Sequence, residues 1–205
     1  MTKVKICGLM EAEHVKAAVD AGADAIGFVF APSRRRIDMK WAAELAARVP
    51  ENVMKVGVFV NPDAAELKTV YRNVPLDYVQ YHGDETPEQI REIGLPSIKA
   101  FSVRTAEDVR RAAQYDVDYY LFDAPGTDFR GGSGNVFDWS LLAEAGIPSE
   151  RTIIAGGLNA GNAAEAVRQT TPFALDVSSG VEREKRKDPE LIRGFIRAVK
   201  ERGEA

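Results

Sequence analysis

The chain has 205 residues, of which 45% are hydrophobic and 28% charged, with a formal net charge of −4. This is ordinary globular composition with enough material for one sizeable core, and no stretch approaches the roughly 20 apolar residues of a membrane span. The acidic balance argues against nucleic acid as a main partner, the lone Cys7 excludes an internal disulfide, and two histidines, His14 and His82, are too few for a multi-histidine metal site. Met1 to Cys7 run straight into a strand-like segment without a signal-peptide core. The expectation is a cytoplasmic, metal-free protein of one domain, residues 1–205.

Apolar runs alternate with amphipathic stretches rich in Ala, Glu and Arg along the whole chain. In order, they predict strand Lys3–Cys7, helix Glu11–Ala21, strand Ala25–Phe30, helix Met39–Val49, strand Val53–Val60 and helix Ala64–Asn73. Strand Asp77–Tyr81, helix Pro87–Ile93, strand Ser97–Phe101, helix Ala106–Tyr115, strand Asp118–Asp123 and helix Trp139–Ala145 follow. The series ends with strand Thr152–Ala155, helix Asn159–Gln169, strand Phe173–Ser178 and helix Pro189–Lys200. Asp38, Asp63, Thr86 and Thr105 are N-cap types just ahead of helical periodicity, and Pro87 and Pro189 suit a first turn. Gly22, Gly94, Gly146 and Gly203 fall where helices should stop. Strands alternating with helices imply a parallel sheet with helical crossovers, and units of roughly 25 residues close most economically as a (β/α)8 TIM barrel near its lower size limit. An open doubly wound sheet is the alternative, although it needs fewer units. The glycine-rich loop Ala124–Val136 is long enough to suggest a mobile lid.

In such a barrel the reacting groups stand at the C-terminal ends of the strands. Side-chain alternation puts Lys5 and Cys7 on one face of the first strand and Val4 and Ile6 on the other, so Cys7 points to the barrel mouth. A thiol there needs modest cationic influence to act as a base near neutrality, whereas its bland alternative is buried packing. Asp123 shares an inward face with Leu121 and Tyr119, and is either a turn cap or a partly buried carboxyl suited to proton donation. Gln80 and His82 share a face and could bind a sugar or carboxylate, His82 being equally readable as structural. Of the adjacent Arg34, Arg35 and Arg36, one suits bidentate capture of a carboxylate, and otherwise the run is solvated surface. Asp176, inward with Ser178, could meet substrate hydroxyls. Lys5 and Lys99 are either Schiff-base lysines or charges satisfied within the barrel by partners such as Asp176. Two glycine segments, Ala155-Gly156-Gly157-Leu158 and Ser178-Ser179-Gly180, each follow a strand and leave backbone N–H groups bare, which together suits a phosphate.

These segments, in order, resemble the phosphoribosylanthranilate isomerase family. The resemblance rests on Lys5-Ile6-Cys7-Gly8, Gly27-Phe28-Val29-Phe30, Ser33-Arg34-Arg35, Val56-Gly57-Val58-Phe59-Val60-Asn61 and Gln80-Tyr81-His82-Gly83. It continues through Asp123, Gly131-Gly132-Ser133-Gly134, Phe137-Asp138-Trp139, Ala155–Asn159 and Asp176–Glu182. It implies a cofactor-free Amadori rearrangement of a small phosphoribosyl substrate, in a monomer or homodimer. By position, Cys7 is similar to the family's base, Asp123 to its acid and Arg35 to its carboxylate-binding arginine. Gly156, Gly157, Ser178, Ser179 and Gly180 would cradle the phosphate, with Gln80, His82 and Asp176 on the rest of the substrate. The chain departs from the family after Glu182, where Arg183-Glu184-Lys185-Arg186 replaces a Pro-Gly turn. Another phosphosugar-barrel enzyme and a non-catalytic binding module are the competing readings.

Overall fold

In a computed structural model, residues 1–125 and 136–201 are described, and eight parallel strands close into a barrel in sequence order. The strands are β1 (Lys3–Cys7), β2 (Ala25–Val29), β3 (Met54–Phe59), β4 (Tyr78–Tyr81), β5 (Ser97–Ser102), β6 (Tyr119–Asp123), β7 (Thr152–Ile154) and β8 (Ala174–Val177). Outside them lie α1 (Ala12–Asp20), α2 (Met39–Ala46), α3 (Ala64–Asn73), α4 (Pro87–Ile93), α5 (Ala106–Arg110), α6 (Ala163–Thr170) and α7 (Pro189–Lys200). Closure is made by β8 pairing with β1, Asp176 opposite Lys5 and Val177 opposite Ile6. The open doubly wound alternative is thereby excluded.

The strands alternate as a two-faced barrel wall requires. Val4, Ile6, Ile26, Phe28, Tyr120, Phe122, Leu175 and Val177 pack outward against the helices. Val56, Ile98, Leu121, Ile153 and Ala174 fill the barrel interior, closed below by Tyr78, Tyr119 and Phe173. The Tyr119 and Phe173 rings stack at 4.3 Å. At this base, an aspartate ahead of β2, β4 and β6 accepts an amide from the strand before it. Val4 donates to Asp24 at 2.9 Å, Lys55 to Asp77 at 2.7 Å and Ser97 to Asp118 at 2.8 Å. The base is therefore dry and tied, and the polar side chains gather at the other end.

The predicted caps act as expected at three helices: Asp38, Asp63 and Thr86 accept first-turn amides, and Thr86 with Gln89 forms a capping box. At Thr105, whose amide donates to Asp108, the helix runs α only to Arg110 and continues as a 3-10 turn, Arg111–Gln114. The predicted helix Trp139–Ala145 is also 3-10, capped by Asp138 and ended by Gly146 at φ 62°. With about 2.0 Å of rise per residue against 1.5 Å, that form stretches a short crossover further along the barrel wall. The predicted start of a helix at Asn159 moves to Ala163, because Asn159 and Asn162 side chains take the Gly161 and Asn159 amides into a turn first. Beyond β8, Ser179–Val181 forms a 3-10 turn, and Glu182–Arg183 (β9) pairs antiparallel with Arg186–Lys187 (β10). That hairpin contains the Arg183-Glu184-Lys185-Arg186 stretch singled out in the sequence. Of the Ala124–Val136 loop read as a lid, residues 126–135 lie outside the described residues, as does Gly203.

Candidate active site

At the C-terminal end of the barrel is a cavity of about 460 Å³, lined in part by Cys7, Arg35, Gln80, His82, Asp123, Asp176, Gly156, Gly157, Ser178 and Ser179. The residues that the resemblance places on base, acid and substrate thus converge here, apart from Gly180.

Cys7 ends β1 and is buried, and its register partner across the ladder to β2 is Gly27. A side chain at Gly27 would put its Cβ 2.8 Å from the Cys7 Sγ and 3.3 Å from the Lys5 Nζ, so the glycine opens the space these two atoms share. Lys5 lies below, paired with Asp176 at 3.0 Å, both nearly solvent-free. Burial pulls the Lys5 ammonium down, but Asp176 and Cys7 outweigh it and hold the group above its ordinary value. Lys5 is thus a fixed cation rather than a neutral amine, which disfavours the Schiff-base alternative. For Cys7 the balance falls the other way. Burial pushes the thiol up, and Lys5 and Lys187 oppose it without overcoming it. Cations and burial therefore act on the thiol in opposite directions, and burial is the larger influence.

Asp123 ends β6, and its Oδ2 stands 3.4 Å from the Nε2 of His82, which follows β4. The Nδ1 of the same ring lies 3.1 Å from the Gln80 Nε2. With the amide donating to Nδ1, a neutral imidazole carries its proton on Nε2, facing Asp123. The ring therefore orients the carboxyl through one oxygen. The other, Oδ1, has no partner among the described residues, and neither do Gln80 Oε1 and Asp176 Oδ1. A Cβ at Gly156 would come within 2.6 Å of that Oδ1, and Gly156 adopts φ 83°. Only glycine both reaches this left-handed conformation without strain and leaves the carboxyl room.

The arginine run resolves by exposure. Arg36 is exposed, Arg34 turns outward to the carbonyl of Lys185, and Arg35 is the one lining the cavity. Its Nε and Nη2 meet the two carboxylate oxygens of Glu182 at 2.7 and 3.1 Å. Burial would raise the Glu182 carboxyl, but Arg35, Lys187 and Arg34 together lower it to about 2. Lys187 is itself buried, donating to Ser178 O at 2.8 Å, Ser178 Oγ at 3.1 Å and Glu182 Oε1 at 2.9 Å. Burial lowers its ammonium to about 8, with Glu182 resisting. Sequence reasoning gave no role to Glu182 or Lys187. A lysine in a run of charged residues carries no mark of burial, and its value comes from folding back onto the end of β8.

The remaining predicted residues sort as follows. Lys99 pairs with Glu85 at 3.0 Å, and not with Asp176, because β4 and β5 are neighbours. Glu85 also accepts from the Asn61 and Gly83 amides, fixing the loop that carries His82. Gly157 and Ser179 stand on the cavity rim. The expected helix N-terminus behind Gly156-Gly157 is displaced, since α6 begins only at Ala163, and the 3-10 turn at Ser179 supplies the nearer backbone. Gly180 lies behind that rim: a Cβ there would sit 1.8 Å from the Leu158 carbonyl oxygen. It lets the two loops touch.

This arrangement can donate a proton from one wall, accept one at the opposite wall, and hold anions at two places between them. Comparison with known proteins identifies the family. The family model described as N-(5′-phosphoribosyl)anthranilate (PRA) isomerase matches residues 4–198. The chain is 48% identical over 200 residues to N-(5′-phosphoribosyl)anthranilate isomerase of Bacillus cereus strain Q1, covering 97% of this chain and 98% of that one. The crystal structure of phosphoribosyl anthranilate isomerase from Thermotoga maritima superposes with a TM-score of 0.90 at 38% identity, covering 98% of this chain and 100% of that one. A second isomerase structure, in complex with reduced 1-(o-carboxyphenylamino)-1-deoxyribulose 5-phosphate, matches with a TM-score of 0.86 at 38% identity over the same shares.

Proposed function

The chain belongs to the N-(5′-phosphoribosyl)anthranilate isomerase family, and on that premise we propose how its own residues perform the reaction. The enzyme converts N-(5′-phosphoribosyl)anthranilate into 1-(2-carboxyphenylamino)-1-deoxyribulose 5-phosphate, a step of tryptophan biosynthesis. Cys7 is the general base and Asp123 the general acid. One observation carries this assignment: both groups line a single cavity at the C-terminal ends of β1 and β6, with Gly156-Gly157 and Ser178-Ser179 on its rim.

Asp123, oriented by His82, gives a proton to the ribose ring oxygen as the bond from that oxygen to C1′ breaks. The electron pair on the anthranilate nitrogen forms the C1′=N bond of a Schiff base. That cation acidifies the C2′ proton, which the Cys7 thiolate removes, leaving an enolamine. A proton added at C1′ from the Cys7 thiol, with loss of the C2′ hydroxyl proton to the Asp123 carboxylate, gives the ketone and resets both groups, so no atom is gained or lost. The phosphate rests on backbone around Gly157 and Ser179, Arg35 takes the anthranilate carboxylate, and Asp176 with Gln80 meets hydroxyls. Each proton transfer contributes about 10²–10⁴-fold, and fixing the substrate at both anionic ends supplies much of the remainder. No cofactor has a part in this sequence. The enzyme works as a single 1–205 domain, as a monomer or homodimer, in the cytoplasm.

Phosphoribosylanthranilate made in situ from anthranilate is fluorescent, and its decay on adding the protein measures turnover. Cys7→Ala and Asp123→Asn should each lower kcat by at least about a hundredfold. Near-normal turnover in either variant removes that residue from its role, and a parent without turnover removes the reading itself.

A further inference from the structure

The hairpin of β9 and β10 brings two buried charges, Glu182 and Lys187, against the rim of the barrel, although nothing in the proposed chemistry uses them directly. Their contacts form one continuous path. The Nε and Nη2 edge of Arg35 lies on both oxygens of Glu182, and Glu182 Oε1 also receives Lys187. Lys187 holds the Ser178 carbonyl and hydroxyl, and the Ser178 hydroxyl donates to the carbonyl of Cys7 at 3.1 Å. Side-chain exposure is 5% at Glu182 and 3% at Lys187. Burying such charges is costly unless they are fully paired, so the cluster is not an incidental surface contact. The hairpin also turns through Glu184 and Lys185, two non-glycine residues at φ 51° and 65°. Backbone of that kind persists only where surrounding contacts enforce it.

We infer that Glu182 is a positioning residue for Arg35, clamping one edge of the guanidinium so that its other edge is presented to the substrate carboxylate. The inference rests on the isomerase reading given above. A guanidinium has five N–H donors on two usable edges. With Nε and one Nη2 hydrogen committed to Glu182, the Nη1 edge is left as a second fork, and Arg35 lines the cavity. Gly8 supports the same placement: at φ 78°, without a side chain, it lets the Arg35 chain lie across the end of β1, where a Cβ would fall 2.6 Å from the Arg35 Cδ. Charge is suited to the task as well. Arg34, Arg35 and Lys187 surround the single anion Glu182, so the cluster keeps a positive excess for an incoming carboxylate. Lys187 fixes Glu182 from behind and ties it to the loop that bears Ser179. Carboxylate capture and the phosphate rim are thereby mechanically joined.

The test compares turnover of N-(5′-phosphoribosyl)anthranilate with that of N-(5′-phosphoribosyl)aniline, which lacks the carboxylate, in the full chain and three variants. Arg35→Met sets the floor by removing discrimination between the two. Glu182→Gln should reduce the parent's discrimination at least about tenfold, the order expected for weakening one charge-assisted contact. The loss should fall on KM for the anthranilate substrate, with kcat changed less than about threefold and the aniline substrate nearly unaffected. Glu182→Asp, which keeps the charge but withdraws it, should be intermediate and guards against misfolding of the first variant. An equal loss on both substrates would mean a merely structural role, and unchanged discrimination would mean none, so either overturns the inference. If Glu182 variants behave like the parent while Arg35→Met does not, the isomerase reading survives alone. If the parent turns over neither substrate, both fall.

Discussion

Replacing Lys5 by methionine removes the cation beneath the Cys7 thiol while keeping most of the length of the side chain. The Cys7 Sγ and Lys5 Nζ lie 2.8 and 3.3 Å from one point, the place a Cβ would take at Gly27, so they are no more than about 6 Å apart. At an effective dielectric constant of about 20, unit charges at that separation attract by about 3 kcal/mol, or about a hundredfold in thiolate population at fixed pH. The direction follows from the groups facing the thiol. Burial and Asp176 push it up, and Lys5 and Lys187 hold it down. Lys5→Met should therefore slow alkylation by iodoacetamide about a hundredfold near neutral pH and move the acidic limb of kcat/KM upward. Asp176→Asn should act with the opposite sign and speed alkylation, because it removes an anion. Since Cys7 is the only cysteine in the chain, the alkylation rate reports on it alone. Each single variant strands a buried partner, at a cost of about 3–5 kcal/mol in stability, and the double variant should recover part of it. Equal rates in parent and Lys5→Met, or a change of the same sign in both single variants, would refute the electrostatic account and leave packing as the explanation.

Two further outcomes concern the rim. Gly180→Ala forces a Cβ into the Leu158 carbonyl, a rigid backbone group, and should cost about 1–3 kcal/mol, seen as a melting point lower by roughly 2–12 °C, with weaker competitive inhibition by inorganic phosphate. A normal melting point would show that the two loops part freely. Glu182, lowered from 4.5 to about 2 in the folded chain, contributes stability that is fully present above pH 4.5 and lost as pH falls toward 2. Denaturant unfolding followed from pH 6 to pH 2 should therefore fall more steeply in the parent than in Glu182→Gln, and parallel curves would remove Glu182 from the acid response.

The strand order and the inward set were legible because both depend on period. Alternation along Lys3–Cys7 places Lys5 and Cys7 together whatever surrounds them, and the same rule picks Asp123 and Asp176. Helix type was less legible. Trp139–Ala145 carries helical periodicity, yet the choice of 3-10 winding depends on how far a short crossover must reach, a property of the barrel and not of the segment. Asn159 reads as a helix start, but its side chain prefers the Gly161 amide and delays α6. The resemblance singled out Arg35 by position, but the residues alone left it level with Arg34 and Arg36, because adjacent arginines are distinguished by which one lies over Gly8. The thiol's environment was not legible, since both the cation from Lys187 and the degree of burial arise only on folding. Lys187 escaped altogether, since its partners at Ser178 are found only after the hairpin turns back.

The two ends of the barrel divide the work of folding and of chemistry. At the base, apolar side chains fill the interior and Asp24, Asp77 and Asp118 take the strand amides, so that end needs nothing further to be stable. At the mouth, Gln80 Oε1, Asp123 Oδ1 and Asp176 Oδ1 are buried acceptors without a partner among the described residues, and each such atom costs about 1–3 kcal/mol. A fold does not keep three of these in one cavity for its own stability. Ribose hydroxyls of a bound substrate would supply donors to these acceptors. Because Oδ2 of Asp123 is already turned to His82, the unpaired Oδ1 is the oxygen left to meet the sugar ring. The direction of the carboxyl is thus decided before substrate arrives, and the space left by Gly156 beside Oδ1 preserves that preorganisation.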